Sequence, residues 1–169
     1  MDGVLVNFNA HIPQYALSTN RPSEKLNTNT RLLKNRMWHE IENTPDFWHN
    51  LPINDDIQIV LDAATNIGEL FVLSKTPGAD HFVNADKYVE FVANEKRDWI
   101  QRNLANYFDK THVIICTGAK GKLISPSSFD ILVDDRIDNI DEWHNAGGRC
   151  VHFTSAKDAL YSISHEKFK

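Results

Sequence analysis

Polar residues in this chain collect where short apolar runs stop. Asp2 opens MDGVLVNF, Ser74 and Thr76 close ELFVLSKT, Lys120 and Lys122 follow HVIIC, and Asp134 with Asp135 ends FDILVDD. Carboxylates, hydroxyls and ammonium groups together are the parts that phosphate-ester chemistry uses: acids and bases for proton transfer, donors for phosphoryl oxygens, and oxygen ligands for a metal ion. The adjacent carboxylates of Asp134 and Asp135 repel each other, and a divalent cation relieves that repulsion. Each group also has an ordinary reading. Asp134 and Asp135 with Arg136 make a strand end and an ion pair, Ser74 a turn hydroxyl, and the two lysines a solvated loop. Their shared place at the ends of apolar runs favours a common site.

Such residues need a rigid frame. Five segments are short, apolar and β-branched: the opening GVLV, ELFVLS (69–74), HVIIC (112–116), FDILVDD (129–135) and RCVHF (149–153). Between them IQIVLDAATNI (57–67), YVEFVANEKRDWIQRNL (88–104) and NIDEWHNA (139–146) repeat apolar residues at helical spacing, and 155–169 reads as a closing helix. Strands alternating with helices predict an α/β fold, a parallel sheet flanked by helices, with polar residues gathered at the carboxyl ends of the strands. Residues 10–55 differ in texture, being rich in Asn, Thr, Pro, His and aromatics. They predict a small, mostly helical cap inserted into a single domain, with 1–9 and 56–169 as its core.

Composition narrows the function classes. A chain of 169 residues suits one domain, and no apolar run approaches the roughly 20 residues that a membrane span needs. The net charge of -5 disfavours a nucleic-acid polymer as partner, whereas a small phosphorylated ligand needs only one or two cations. Cys116 and Cys150 are far from zinc-ligand spacing and read as reduced, buried thiols. With no secretory-type leader, the expectation is a soluble cytoplasmic protein without membrane partners; a homodimer stays open.

The motifs, taken in order, resemble those of the haloacid dehalogenase-like phosphohydrolases, most closely the 5'(3')-deoxyribonucleotidase branch. That branch opens with Asp-Met-Asp-Gly-Val-Leu-x-x-Phe, which MDGVLVNF matches from its second residue. VLSKTP, the lysine loop, ILVDDR and NIDEWHNAGGRCVHF match the later motifs. The resemblance implies a Rossmann-like fold and an Mg²⁺-dependent phosphomonoesterase acting on nucleoside monophosphates, or on other small phosphate esters, through an aspartyl-phosphate. It implies Asp2 as general acid/base, with its carbonyl on Mg²⁺, and Asp134 and Asp135 as metal carboxylates. Ser74, Lys75 and Lys122 would hold phosphate, with Lys120 the alternative to Lys122. Phe8, Trp38, Phe47 and Trp48 would line a base slot or else form the core of the cap. Trp99 and Trp143 read as helix packing.

One part has no counterpart. In the resembled family the nucleophile stands two positions before the acid/base, which here falls ahead of Met1. The expectation is a chain that binds phosphate esters with little or no turnover. Three accounts stay open: a start at an internal Met, a binding module without hydrolysis, or a shift of GVLVNF back into the place of the central strand.

Overall fold

The computed structural model describes residues 1–12, 31–78, 85–116 and 124–169. In chain order its elements are α1 (Phe8–His11), α2 (Arg31–Glu42), α3 (Ile57–Thr65), β1 (Val72–Lys75), α4 (Ala85–Leu104), β2 (Val113–Cys116), β3 (Ile131–Asp134), α5 (Ile137–Asn145), β4 (Arg149–His152) and α6 (Ala156–Ser164). The fold is mixed α/β with parallel strands. No helix among the described residues is long and apolar enough to cross a membrane.

The strands form two separate parallel pairs. β1 pairs with β2, Val72 opposite Val113 and Ser74 opposite Ile115. β3 pairs with β4, Ile131 opposite Arg149 and Asp134 opposite His152. Each ladder is continued at its carboxyl end, by Thr76 N donating to Cys116 O at 2.9 Å and Phe153 N to Asp134 O at 2.8 Å. The outer edge of β4 is covered by Lys169, whose backbone exchanges hydrogen bonds with Cys150 at 3.0 and 3.3 Å. Among the described residues no ladder joins β1 to β3.

GVLV is the expected strand that does not form. Gly3 has φ +79°, and the Met1 carbonyl accepts from the amides of Val4, Leu5 and Val6, so the chain coils into a tight loop. An Asp-Gly pair is a turn signal, and here it overrides the β-branched residues after it. Asn54 secures the loop, its side-chain amide donating to Val4 O at 2.6 Å and Gly3 O at 3.2 Å. Val6 bridges Ile53, and Met1, Val4, Leu5 and Val6 are all buried. GVLVNF therefore does not slide back to fill a strand position.

Helices cover the strands through apolar faces. α3 buries Ile57, Val60 and Leu61 and packs on α6. α5 buries Ile140 and Trp143 against β3 and β4. It stops before Gly148, where an added Cβ would lie 2.2 Å from Trp143 Nε1. The described part of 10–55 is helix and turns; Ile41, Phe47, Trp48 and Leu51 join the same core cluster as Val6, Val92 and Trp99. This segment is thus packed onto the α/β core, chiefly α4, where Trp99 Nε1 donates to Leu51 O at 2.8 Å. Cys150 is buried as expected, whereas Cys116 is only half-buried, its Sγ donating to Ser74 O.

α6 begins with a reciprocal cap. Ser155 Oγ accepts from Asp158 N at 3.1 Å, while the Asp158 carboxylate accepts from Ser155 Oγ at 2.7 Å and Thr154 Oγ1 at 2.8 Å. The Ser155 bond, then that of Thr154, holds Asp158 below its ordinary 3.8. A carboxyl lowered on folding stabilises the fold above its unfolded pKa and stops doing so as pH falls through the folded value. Ser155→Ala is expected to lower the Tm at neutral pH by about 2–4 °C, with the difference shrinking on acidification below 3.8. Thermal unfolding of both proteins across that range measures it.

Candidate functional site

The loop of residues 1–6 sets Asp2 and Gly3 between the carboxyl ends of β1 and β3. On the β1 side the link is Lys96, from the middle of α4. Its ammonium forms an ion pair with Asp2 Oδ2 and also donates to Lys75 O at 2.8 Å and to Ser74 Oγ at 3.3 Å. Those three acceptors match the three protons of an ammonium group. The Lys96 side chain is 1% exposed and that of Asp2 33%, so the pair opens to solvent only on the Asp2 side. Asp2 Oδ1 is buried without a hydrogen-bond partner among the described residues, as is Thr76 Oγ1. The Trp48 ring lies beside the ammonium, 5.1 Å from centroid to Nζ.

Lys96 was not among the residues that the sequence motifs single out. The signal was present, because Val92, Trp99 and Ile100 lie on the buried face of α4 and Lys96 falls four residues after the first and three before the second. A lysine within an apolar helical stripe is rarely buried unless it has a partner.

On the β3 side the link is Asp135. A Cβ built on Gly3 would lie 2.2 Å from Asp135 Oδ2 and 2.3 Å from its Cγ, so this carboxylate rests directly on the backbone of the Asp2–Gly3 loop. Asp135 O is 3.1 Å from His152 Nε2. Asp134 faces inward and is buried, with Oδ1 accepting from Arg136 N at 3.0 Å and Asn139 Nδ2 at 2.7 Å. It thereby anchors the first turn of α5. Gly3→Ala is expected to cost at least about 1 kcal/mol from the left-handed backbone alone, and it must also push Asp135 aside. Urea unfolding measures the first effect. The Asp135 resonances in an NMR spectrum report the second.

The aromatic candidates form one packed group. Phe8 meets Phe47, Trp48 and Trp38 at centroid distances of 5.8, 5.9 and 6.2 Å, and Phe47 meets Trp48 at 5.3 Å. Phe47 and Trp48 are each 2% exposed, and Trp48 Nε1 donates to Tyr88 Oη at 3.2 Å. Burial, more than any other influence, raises the Tyr88 hydroxyl above its ordinary 10.0. Phe8 and Trp38 remain half-buried. Lys120 and Lys122 lie outside the described residues.

The structure thus brings together Asp2, Ser74, Lys75 and Asp135 from the expected set, adds Lys96, and places Asp134 just behind them. An ammonium, a hydroxyl and carboxylates in one place can hold an anion and pass protons. Among the described residues, no group of three or more His, Cys, Asp or Glu side chains is placed to hold a metal ion. No protein-family model matches the chain, and no curated protein matches it.

Proposed function

We propose that these 169 residues are the ligand-binding frame of an Mg²⁺-dependent phosphomonoesterase of the haloacid dehalogenase-like superfamily, near the 5'(3')-deoxyribonucleotidase branch, working in the cytoplasm on nucleoside monophosphates. The observation that carries this reading is the meeting of Asp2, Ser74, Lys96 and Asp135 where β1 and β3 end. On this reading the two strand pairs are halves of one Rossmann-like sheet and the 10–55 segment is its cap.

The roles follow from the contacts. Ser74 Oγ and the Lys96 ammonium bind phosphoryl oxygens, with Lys122, or Lys120 in its place, adding charge. Lys96 also fixes Asp2 through Oδ2, leaving Oδ1 to give a proton to the leaving alcohol or take one from water. Asp135, with Asp134 and the Asp2 carbonyl, makes a hard-oxygen set suited to Mg²⁺, which when bound neutralises phosphoryl charge. Asp134 Oδ1 is already committed to α5, so Asp135 is the main ligand and affinity is weak. Among the described residues no carboxylate beyond Asp2, Asp134 and Asp135 is placed in this group, so binding with little or no turnover is expected.

The burial of Phe47 and Trp48 favours a second reading, a site for small phosphate esters in general, because rings packed on one another offer no stacking face for a base. Phe8 and Trp38 keep exposed area for one. Calorimetry with Mg²⁺ against dTMP, dUMP, a sugar phosphate and inorganic phosphate separates the two. The nucleotidase reading expects the nucleotides to bind tightest; equal weak binding of all four removes it. Asp135→Asn is expected to weaken Mg²⁺ by about tenfold, the loss of a charged ligand. An unchanged titration sinks the metal assignment.

A further inference from the structure

An ammonium in an apolar interior needs its charge offset and its three protons accepted. Lys96 meets the second need with Asp2, Lys75 O and Ser74 Oγ. For the first it has one carboxylate among the described residues, that of Asp2, and the face of the Trp48 ring, whose centroid is 5.1 Å from Nζ. That distance is within the roughly 6 Å over which a ring attracts a cation. The attraction is largest where water is excluded, and Trp48 is 2% exposed beside a Lys96 side chain that is 1% exposed.

The ring is itself held. Trp48 Nε1 donates to Tyr88 Oη at 3.2 Å, and Phe8 and Phe47 pack against the indole at 5.9 and 5.3 Å. Tyr88, Val92 and Lys96 follow at four-residue steps along α4, so they share one face of that helix. The helix that carries the ammonium thus also fixes the ring beside it.

An aromatic face suits an ammonium that must also meet an anion. A second carboxylate would offset the charge too, but it would take up a proton and repel a phosphoryl group. A ring face acts through its quadrupole, adds no net negative charge and leaves the three protons to oxygen acceptors. Ser74 Oγ, at 3.3 Å against 2.8 Å for Lys75 O, is then the acceptor that a phosphoryl oxygen can replace while Asp2 and Lys75 O keep their bonds.

We propose that Trp48 is a positioning residue for Lys96: held by Tyr88, its ring keeps the ammonium aimed at Asp2 and Ser74, and so sets phosphate affinity without touching phosphate. The proposal rests on the reading of Ser74 and Lys96 as phosphoryl ligands. It takes Trp48 out of the base slot and ties the 10–55 segment to the phosphate end of the site.

The test places tryptophan bearing one, two or four ring fluorines at position 48 alone, which withdraws electron density from the face with little change in size. Two readouts are taken on the whole chain: exchange of the Lys96 ammonium protons with water by NMR, and binding of inorganic phosphate by calorimetry, with Lys96→Met as reference. Exchange is expected to quicken at each step, and phosphate affinity to fall about tenfold by the last. Tyr88→Phe, which removes the acceptor of the indole N–H, should also quicken exchange and weaken phosphate about threefold. Ammonium exchange that ignores the series overturns the proposal, whatever phosphate does. So does a phosphate affinity that falls for Lys96→Met but not along the series. Should exchange follow the series while phosphate binds every protein alike, or none, the positioning of Lys96 by Trp48 stands and the phosphoryl reading falls.

Discussion

A chain extended ahead of Met1 by an apolar strand ending in Asp is expected to hydrolyse dTMP or dUMP faster than the present chain by several orders of magnitude. The added Asp would stand two positions before Asp2, where an attacking carboxylate can form a covalent phospho-intermediate. Asp2 cannot take that part while serving the leaving group. Its Oδ2 is tied to Lys96, and a displacement of about 1 Å already costs on the order of 100-fold in rate. The same extension ending in Asn separates chemistry from packing. It should raise the Tm as much as the Asp version yet leave hydrolysis at the level of the present chain. Initial rates and melting curves of the three proteins decide it, and rapid Mg²⁺-dependent turnover by the present chain, its mass confirmed, would falsify the argument.

The ion pair of Asp2 and Lys96 should respond unequally to the loss of either partner. Asp2→Ala leaves an ammonium with a side chain 1% exposed and no counter-charge, for which a loss of about 3–5 kcal/mol is expected. Lys96→Met keeps the stem in place and leaves only a carboxylate that reaches solvent, so its cost should be smaller, about 1–2 kcal/mol. The double variant should be more stable than Asp2→Ala alone, because removing the stranded charge recovers most of the penalty. Urea unfolding of the four proteins closes the cycle. Equal losses from the two single changes would mean that Lys96 finds water or another partner, and the buried pair would then not be what holds Asp2.

The sequence and the structure agree most closely where one physical cause dominates. β2, β3 and β4 fall within apolar β-branched runs and β1 overlaps one, ending a residue beyond it at Lys75, because burial of the strands leaves little else to read. Helical spacing likewise located α3, α4, α5 and α6. Agreement ends where two causes compete. GVLV has strand composition, but Asp2–Gly3 coils the chain and Asn54 fixes the coil. A single sheet was expected, and among the described residues two parallel pairs are found with no ladder between β1 and β3, because apolar runs show which segments are strands and not which edges pair. In the site, Asp2, Ser74 and Asp135 were legible as polar residues at strand ends. Lys96 was not, since its partners come from parts of the chain 94 and 22 residues away. The cap aromatics were legible as a cluster, but whether rings face one another or a ligand depends on packing that spacing does not encode.

The division of the strands into two pairs also bears on how the molecule comes apart. A continuous ladder makes neighbouring strands open together, whereas among the described residues no ladder ties β3 to β1, and β4 is bonded at its other edge to the backbone of Lys169. Leu132, Ile140, Trp143 and Cys150 form a small apolar cluster of their own, separate from the larger one around Val6, Val92 and Trp99. The other face of the same two strands, through Val151 with Ile131 and Val133, packs into the larger cluster, so the line between β1 and β3 is held by side-chain packing and not by a ladder, and local opening is expected to start on the α5 side. Amides of α5 are then expected to exchange with solvent before those of α4, whose Val92, Trp99 and Ile100 lie at the centre of the larger cluster.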